Sequence, residues 1–494
     1  MPAGAEVEIC RETIPPGTAI ADVYGPTDAP YASVIRWVPG SRIPSGGDEG
    51  SILWRLPILV KDNIETADMP TTAGSLALVD NAPGRDAPIV TRLREAGALV
   101  LGKTNLSEWA NIRSPNSISG WSAVGGQTRN PYDPERTPCG SSSGSATAVA
   151  IGLVPVAIGT ETDGSITCPA SVTGVVGFKP TVGLVSRTHI IPISHSQDTA
   201  GPIATTVADA ARVLTAIAGS DPLDPATAEA DARRVDYRAA LDADSLQGAR
   251  LGVMRFLVGN YSAEAQAEFE RALVNLRAAG AEIVEITEPP ADFRQIGGWE
   301  LTVLLTELKH DLNLYLASTD PAQVRTRTLA DVIAFNRANE AVEMLLFGQD
   351  IFEQAEATKG LDDPEYRKAR ETSLRLAGAE GIDKLLKEHN VVALVGPTMA
   401  PGWLIDSVLG DQYPGGGAGG LAAVAGYPHL TVPMGTVRGM PVGLSFIGPK
   451  WSDALILSLG FDYEQASQKR VEPRFLPSIE GTAEVRRAFR PQPR

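Results

Sequence analysis

Three kinds of residue in this chain could do acyl chemistry together. Two knots of small hydroxyls and glycines, Gly140 to Ser145 in "CGSSSGSA" and Gly159 to Ser165 in "GTETDGS", bracket an apolar segment. Far upstream, Lys61 follows the apolar run "LPILV" in "VKDNIET". A serine hydroxyl needs a base before it attacks a carbonyl, and a lysine amine can serve once burial favours its neutral form. The loop "GTETDGS" follows the strand-like "PVAI", and its glycines let successive backbone amides converge into an oxyanion hole. Ser165, at the end of that loop, is the candidate nucleophile and Lys61 a candidate base. A strand-end lysine with its amine in solvent is the competing reading, and the residues alone leave both open.

Other chemistries fit less well. Gly140-Ser141-Ser142-Ser143-Gly144 matches G-x-S-x-G, the nucleophile elbow, which requires a buried strand before the serine. Here "GGQTRNPYDPERTP" precedes it, polar and rich in proline. The five histidines are scattered, without H-E-x-x-H or paired C-x-x-C spacing, so no metal or cofactor is expected. Cys10, Cys139 and Cys168 are too few for a disulfide framework and suit a reducing compartment, with cytoplasm the expected location. Cys139 and Cys168 flank the serine knots without a cationic partner and are expected to be packing residues.

Positioning such groups takes a scaffold. Short apolar runs ("LPILV", "PVAIGT", "GVVGFKP", "ARLGVMRF", "NVVALVGPT", "HLTVPMG", "PVGLSFIG") alternate with amphipathic stretches such as "TVADAARVLTAIAG" and "WSDALILSLGFDYEQAS". That alternation predicts an α/β fold, a central sheet covered by helices on both faces. Residues from about Trp299 to His389 read as mostly helical. "GDQYPGGGAGG", from Gly410 to Gly420, reads as a loop over the sheet edge. Net charge −16 disfavours nucleic acid or an anionic membrane surface as a partner. No apolar run is long enough to span a bilayer, and the start shows no signal-peptide pattern.

The motifs "VKDNIETADMPTTAGS", "GKTNLSEWAN", "CGSSSGSA", "GTETDGSITCPASVTGVVGFKPTVGLVSR" and "SQDTAGPIATTVADAA" resemble those of the amidase signature family. The spacing of 24 positions between Ser141 and Ser165 is similar to that between the family's two catalytic serines. The resemblance runs from Leu56 to Ser467 and is strongest to bacterial members that act on peptide amides.

It implies the amidase-signature fold, with a mixed sheet, and a Ser–cisSer–Lys triad: Ser165 as nucleophile, Ser141 as relay after a cis peptide bond, Lys61 as base. It further implies an oxyanion hole from the backbone amides of Thr162, Asp163, Gly164 and Ser165, with Ser142 in support or capping the next helix. The implied reaction is cleavage of a carboxamide C–N bond through an acyl-enzyme, foremost the C-terminal amide of a peptide with release of ammonia. Aryl or alkyl amides and carbamates are the alternatives, and the glutaminase component of a tRNA-dependent amidotransferase is a further one. The expected partner is a small amide or peptide amide; the residues carry no signal of oligomeric state.

The expected organisation is one domain: a divergent segment at 1–50, a signature core at 51–220, a helical substrate-side sector at 221–390, a return to the sheet at 391–470 and a tail at 471–494. Two departures from the family pattern stand out. Asp163 occupies a place where many members carry glycine, and Arg55 stands near a usual glycine in the lead to the lysine strand. Trp109, Trp121, Trp299 and Trp403 are candidate pocket walls that could equally be core.

Overall fold

The computed structural model describes residues 7–9, 12–14, 28–38, 50–258, 261–415 and 417–479. Cys10, most of the segment leading to Gly50 and the basic end from Arg486 lie outside them.

Eleven strands form one sheet: β1 (Val34–Trp37), β2 (Pro57–Lys61), β3 (Leu99–Thr104), β4 (Val156–Glu161), β5 (Val176–Lys179), β6 (Thr199–Ala204), β7 (Arg250–Met254), β8 (Glu282–Ile286), β9 (Ala393–Pro397), β10 (His429–Val437) and β11 (Met440–Ile447). Their order across the sheet is β8-β7-β9-β11-β10-β5-β6-β4-β2-β3-β1. The sheet is mixed. β2 runs parallel to both β3 and β4, with Val60 opposite Lys103 and Ile158, whereas β6 is antiparallel to β4 and β5. β2, β4 and β6 are buried along their whole length, as strands covered on both faces must be.

Two of these strands were not legible as strands in the sequence: the edge strand β1, and β6, which carries Gly201 and Pro202. Proline cannot donate to a ladder and argues against an interior strand. β6 nevertheless lies between two antiparallel neighbours, with Pro202 opposite Ile158.

Helices cover both faces. α1 (Pro88–Glu95), α4 (Val207–Ile217), α5 (Ala263–Ala278) and α8 (Asp453–Ser467) join one apolar cluster with Ile58, Val60, Leu251 and Phe446. α2 (Ser143–Ala150) and α3 (Thr167–Val172) pack on the other side against Leu59, Ala157 and Ile203. Local signals explain their starts and faces. Thr206 caps α4 by accepting from Asp209 N at 3.1 Å, and Val207, Ala210, Ala211 and Leu214 bury one stripe. α2 is buried on every side, which its run of Ser, Gly and Ala permits. At Gly144 a Cβ would stand 2.2 Å from the Ser33 carbonyl oxygen, so only glycine lets the helix approach so closely. α6 (Ile296–Ser318) and α7 (Pro364–Ala377) pack on each other. No helix among the described residues is long and apolar enough to cross a membrane.

Candidate active site

Lys61 is the last residue of β2, and parallel pairing sets it beside the end of β4. Its side chain has no solvent exposure, so the strand-end amine in solvent is not what the fold produces. Lys61 Nζ lies 2.7 Å from Ser141 Oγ, 2.9 Å from Thr160 Oγ1 and 3.3 Å from the Thr160 carbonyl oxygen. Asn63 Nδ2 donates to the same Thr160 hydroxyl at 3.0 Å. Burial pushes the Lys61 amine down to about 7, against the opposing pull of the Asp198 and Glu161 charges. The neighbouring lysine, Lys103, is buried too, but ends differently: it pairs with Asp62 at 3.3 Å and donates to Ile64 O and Thr71 Oγ1.

Ser141 sits in the turn before α2, and the Gly140–Ser141 peptide bond is cis. Ser142 ties the two serine knots together. Its N–H donates to the Ser165 carbonyl at 3.0 Å, and its Oγ donates to Thr160 O at 3.1 Å while accepting from Thr160 N at 3.2 Å. It makes no side-chain cap on α2. Ser142 thus joins the two knots through hydrogen bonds and does not act through its side chain as the cap of α2.

The loop after β4 turns at Gly164, whose φ of 75° favours glycine. Among the described residues, the backbone N–H groups of Asp163, Gly164 and Ser165 donate to no protein acceptor. Three successive unpaired amides around a left-handed glycine form an anion nest. Ser165 itself is 8% exposed and lines a cavity of about 290 Å³ with Gly140, Asp163, Ile193 and Leu304. Glu161, a residue the sequence argument passed over, holds this loop to α3: its Oε2 accepts from Ile166 N at 2.7 Å and Thr167 N at 2.9 Å. Thr162 Oγ1 donates to Asp198, whose other oxygen accepts from Ile193 N and Ser194 N.

The cysteine expectation is overturned. Cys139 and Cys168 form a disulfide, Cα atoms 6.0 Å apart and 29 positions apart in sequence. The fold packs the start of α3 against the turn that carries Ser141, which places the two sulfurs together. A count of three cysteines speaks against a multi-bridge scaffold but not against one local pair, so the cysteines no longer point to a reducing compartment.

The opposite wall comes from α6 and from loops distant from it in the chain. Leu304 and Tyr413 face the cavity; Tyr413 belongs to the glycine-rich stretch expected over the sheet edge, and it lines the cleft instead. Ala110 and Asn111 line it too, in a run with Trp109 at positive φ that no sequence signal announced. The tryptophans stand behind the wall rather than on it: Trp109 packs on Phe352, Trp121 on Phe347 and Trp403 on Tyr413. Trp299, on α6, has the Lys368 amine over its ring. Arg55 adopts φ 56°, the left-handed conformation that glycine takes most easily. His195, Glu307 and Asp311 converge near the site, but the Glu307 carboxylate already accepts from Ser194, Ser196 and Tyr366. That cluster works as a clamp between the loop before β6 and α6.

With this geometry in view, comparison with known proteins decides the family: the amidase family model matches residues 40–457. The chain belongs to the amidase family. It is 41% identical over 433 residues to a probable amidase of Arabidopsis thaliana, covering 86% of this chain and 79% of that one. It superposes on the native peptide amidase of Stenotrophomonas maltophilia with a TM-score of 0.86 at 49% identity, covering 92% of this chain and 94% of that one. The glutamyl-tRNA(Gln) amidotransferase of Symbiobacterium thermophilum contains a chain 34% identical over 442 residues, 87% of this chain and 86% of that one. This amidase is a serine amidohydrolase acting on C–N bonds.

Proposed function

We propose that this amidase hydrolyses the C-terminal carboxamide of peptides, releasing ammonia, with Ser165 as nucleophile, Ser141 as relay and Lys61 as base. The observation that carries the assignment is the fully buried Lys61 amine at 2.7 Å from Ser141 Oγ. A neutral lysine amine has two N–H groups and one lone pair. Two donations to Thr160 use the N–H groups and leave the lone pair for the Ser141 proton. Ser141 in turn takes the proton of Ser165 as Ser165 Oγ attacks the amide carbon. The nest amides receive the negative charge on the carbonyl oxygen, where each donor is worth about 3–4 kcal/mol in comparable sites. The proton returns through Ser141 to the departing nitrogen, ammonia leaves, and water cleaves the acyl-enzyme by the same route.

The peptide-amide substrate is supported by the 49% identity to peptide amidase. A second reading, the glutamine-hydrolysing component of an amidotransferase, draws on the 34% identity to the amidotransferase chain. One experiment separates them: mass spectrometry of short peptide carboxamides, an anilide, a carbamate and glutamine, each incubated with the purified chain. Terminal amide turned to acid, with loss of about 10⁴- to 10⁶-fold activity in Ser165→Ala, is the expected result. Hydrolysis of glutamine alone selects the second reading, cleavage of the anilide or carbamate alone removes the peptide-amide substrate, and an active Ser165→Ala removes the catalytic assignment.

A further inference from the structure

Beside the nucleophile loop lies a second cavity, of about 160 Å³, that the chemistry above does not use. Leu257, Phe293, Ile296 and Leu421 supply apolar walls, and Glu300 is its one charged lining residue. Glu300 stands on the first turns of α6. One of its oxygens accepts from Gln197 Nε2 at 2.8 Å, and the same Gln197 nitrogen reaches the Thr162 carbonyl at 3.4 Å. The pocket is thereby tied through one side chain to the loop that carries Ser165. On the catalytic side, Asp163 lines the cleft with its side chain open to it, and its carboxylate makes no hydrogen bond or ion pair among the described residues. Neither cavity is lined by a lysine or arginine.

We propose that the Glu300 pocket receives a cationic side chain, so that this amidase prefers peptide amides whose last residue is arginine or lysine. The proposal rests on the peptide-amide reading and names the substrate class within it. The apolar walls suit the methylene stem of such a residue, and the carboxylates of Glu300 and Asp163 suit its charged head. Two acids without a cation between them sit uneasily. Burial first, and then the charge of Asp163, raises the Glu300 carboxyl. A guanidinium or ammonium placed between them removes that conflict, and an acidic residue there worsens it. The net charge of −16 acts in the same sense at longer range, drawing in cationic peptides.

The test compares kcat/KM for ammonia release by the purified full chain on acetyl-alanyl-arginine amide, acetyl-alanyl-norleucine amide and unblocked alanyl-norleucine amide. The arginine amide is expected to exceed acetyl-alanyl-norleucine amide on the order of 10- to 100-fold. Glu300→Gln is expected to lower that ratio about tenfold or more. In wild type, KM for the arginine amide should rise with ionic strength while that for norleucine stays flat, a reading that needs no variant. A wild-type ratio near one, a ratio unchanged in Glu300→Gln, or a gain from the free α-amine in place of the side chain overturns the proposal. If none of the three amides is cut, the peptide-amide reading fails and this inference with it; if norleucine amide is cut without preference, only the inference fails.

Discussion

The floor and the wall of this cleft are built on opposite principles. On the floor, Lys61, Ser141 and Ser142 have no solvent exposure, and their side-chain polar atoms bond to one another or to Thr160 on β4. On the wall, α6 keeps Leu301 43% and Leu314 61% exposed, and its neighbours carry charge pairs in water. A buried polar group without its partner costs its full desolvation energy, so the floor has one workable arrangement and removing any piece leaves an orphan. The wall loses little when one side chain changes. It can therefore carry specificity, because it can vary without unfolding the protein.

Loss of a member of the floor has the largest expected effect. Ser141→Ala is expected to lower kcat by at least about 10⁴-fold and to lower the melting temperature as well, since Lys61 keeps Thr160 but loses its partner at Ser141. Steady-state ammonia release and a thermal melt check both halves. Full activity in the variant would remove Ser141 from the relay.

Next in size is the buried pair one strand over. Lys103 and Asp62 are both inside the protein, and burial pushes the Lys103 amine down and the Asp62 carboxyl up. Lys103→Met leaves Asp62 buried beside Thr72 without its countercharge and is expected to cost about 3–5 kcal/mol in urea unfolding. The double variant Lys103→Met/Asp62→Asn should recover part of that loss. If Lys103→Met is neutral, the floor is not held together by its charges.

The disulfide comes third. It closes a loop across 29 positions and joins the turn before Ser141 to the helix after Ser165. A loop of that length is worth about 3–4 kcal/mol on the chain-entropy account. Reductant should lower the stability of wild type by that amount and leave Cys139→Ala/Cys168→Ala unmoved. Equal sensitivity of both proteins would mean that the bridge contributes nothing.

Much of the floor was legible in the sequence, and the reason is geometric. Ser141, Ser165 and the amides around Gly164 occupy fixed places in a contiguous stretch, and Lys61 ends a strand whose apolar run is unmistakable. The helix and strand between the serine knots, α2 and β4, set their spacing, so residue type and spacing together carried the motif. The disulfide was missed because proximity of Cys139 and Cys168 depends on how α3 packs, not on any spacing rule. Strand β6 was missed because Pro202 speaks against a strand locally while its two neighbours impose one. The wall was hardly legible at all: Asp163, Gln197 and Glu300 lie far apart in the chain and meet only in the folded protein. Glu161 was missed because the short helix α3, from whose first amides it accepts, was not legible as a helix either.

A pH profile sharpens the contrast with a smaller effect. Lys61 must be neutral to accept a proton, and burial brings it down to about 7 from the ordinary 10.5. Below that value the amine is protonated and the relay blocked, so kcat/KM should fall tenfold per pH unit, about 100-fold by pH 5. Above it the floor is fully competent. The limb should be the same for neutral and cationic peptide amides because it belongs to the floor. A limb that moves with the substrate side chain would mean that the wall, through Asp163 and Glu300, sets the profile instead.

The smallest effect belongs to the wall's outer charges. Arg337, on the helix Leu329–Ala338, pairs with Glu353 on the helix Asp350–Glu356 at 2.8 Å, with side chains 63% and 48% exposed. Water screens such a pair, and the order imposed on two long side chains offsets most of the attraction. Arg337→Ala is therefore expected to change unfolding free energy by only about 0–1 kcal/mol and to leave kcat/KM on any amide where it was. The same type of charge removal that should cost about 3–5 kcal/mol at Lys103 is then nearly silent here, where the pair is exposed and, among the described residues, lacks the further hydrogen bonds that the buried Lys103 makes. A loss at Arg337 comparable with that at Lys103 would mean that the helical wall is as tightly specified as the floor, and the division of labour between them would fail.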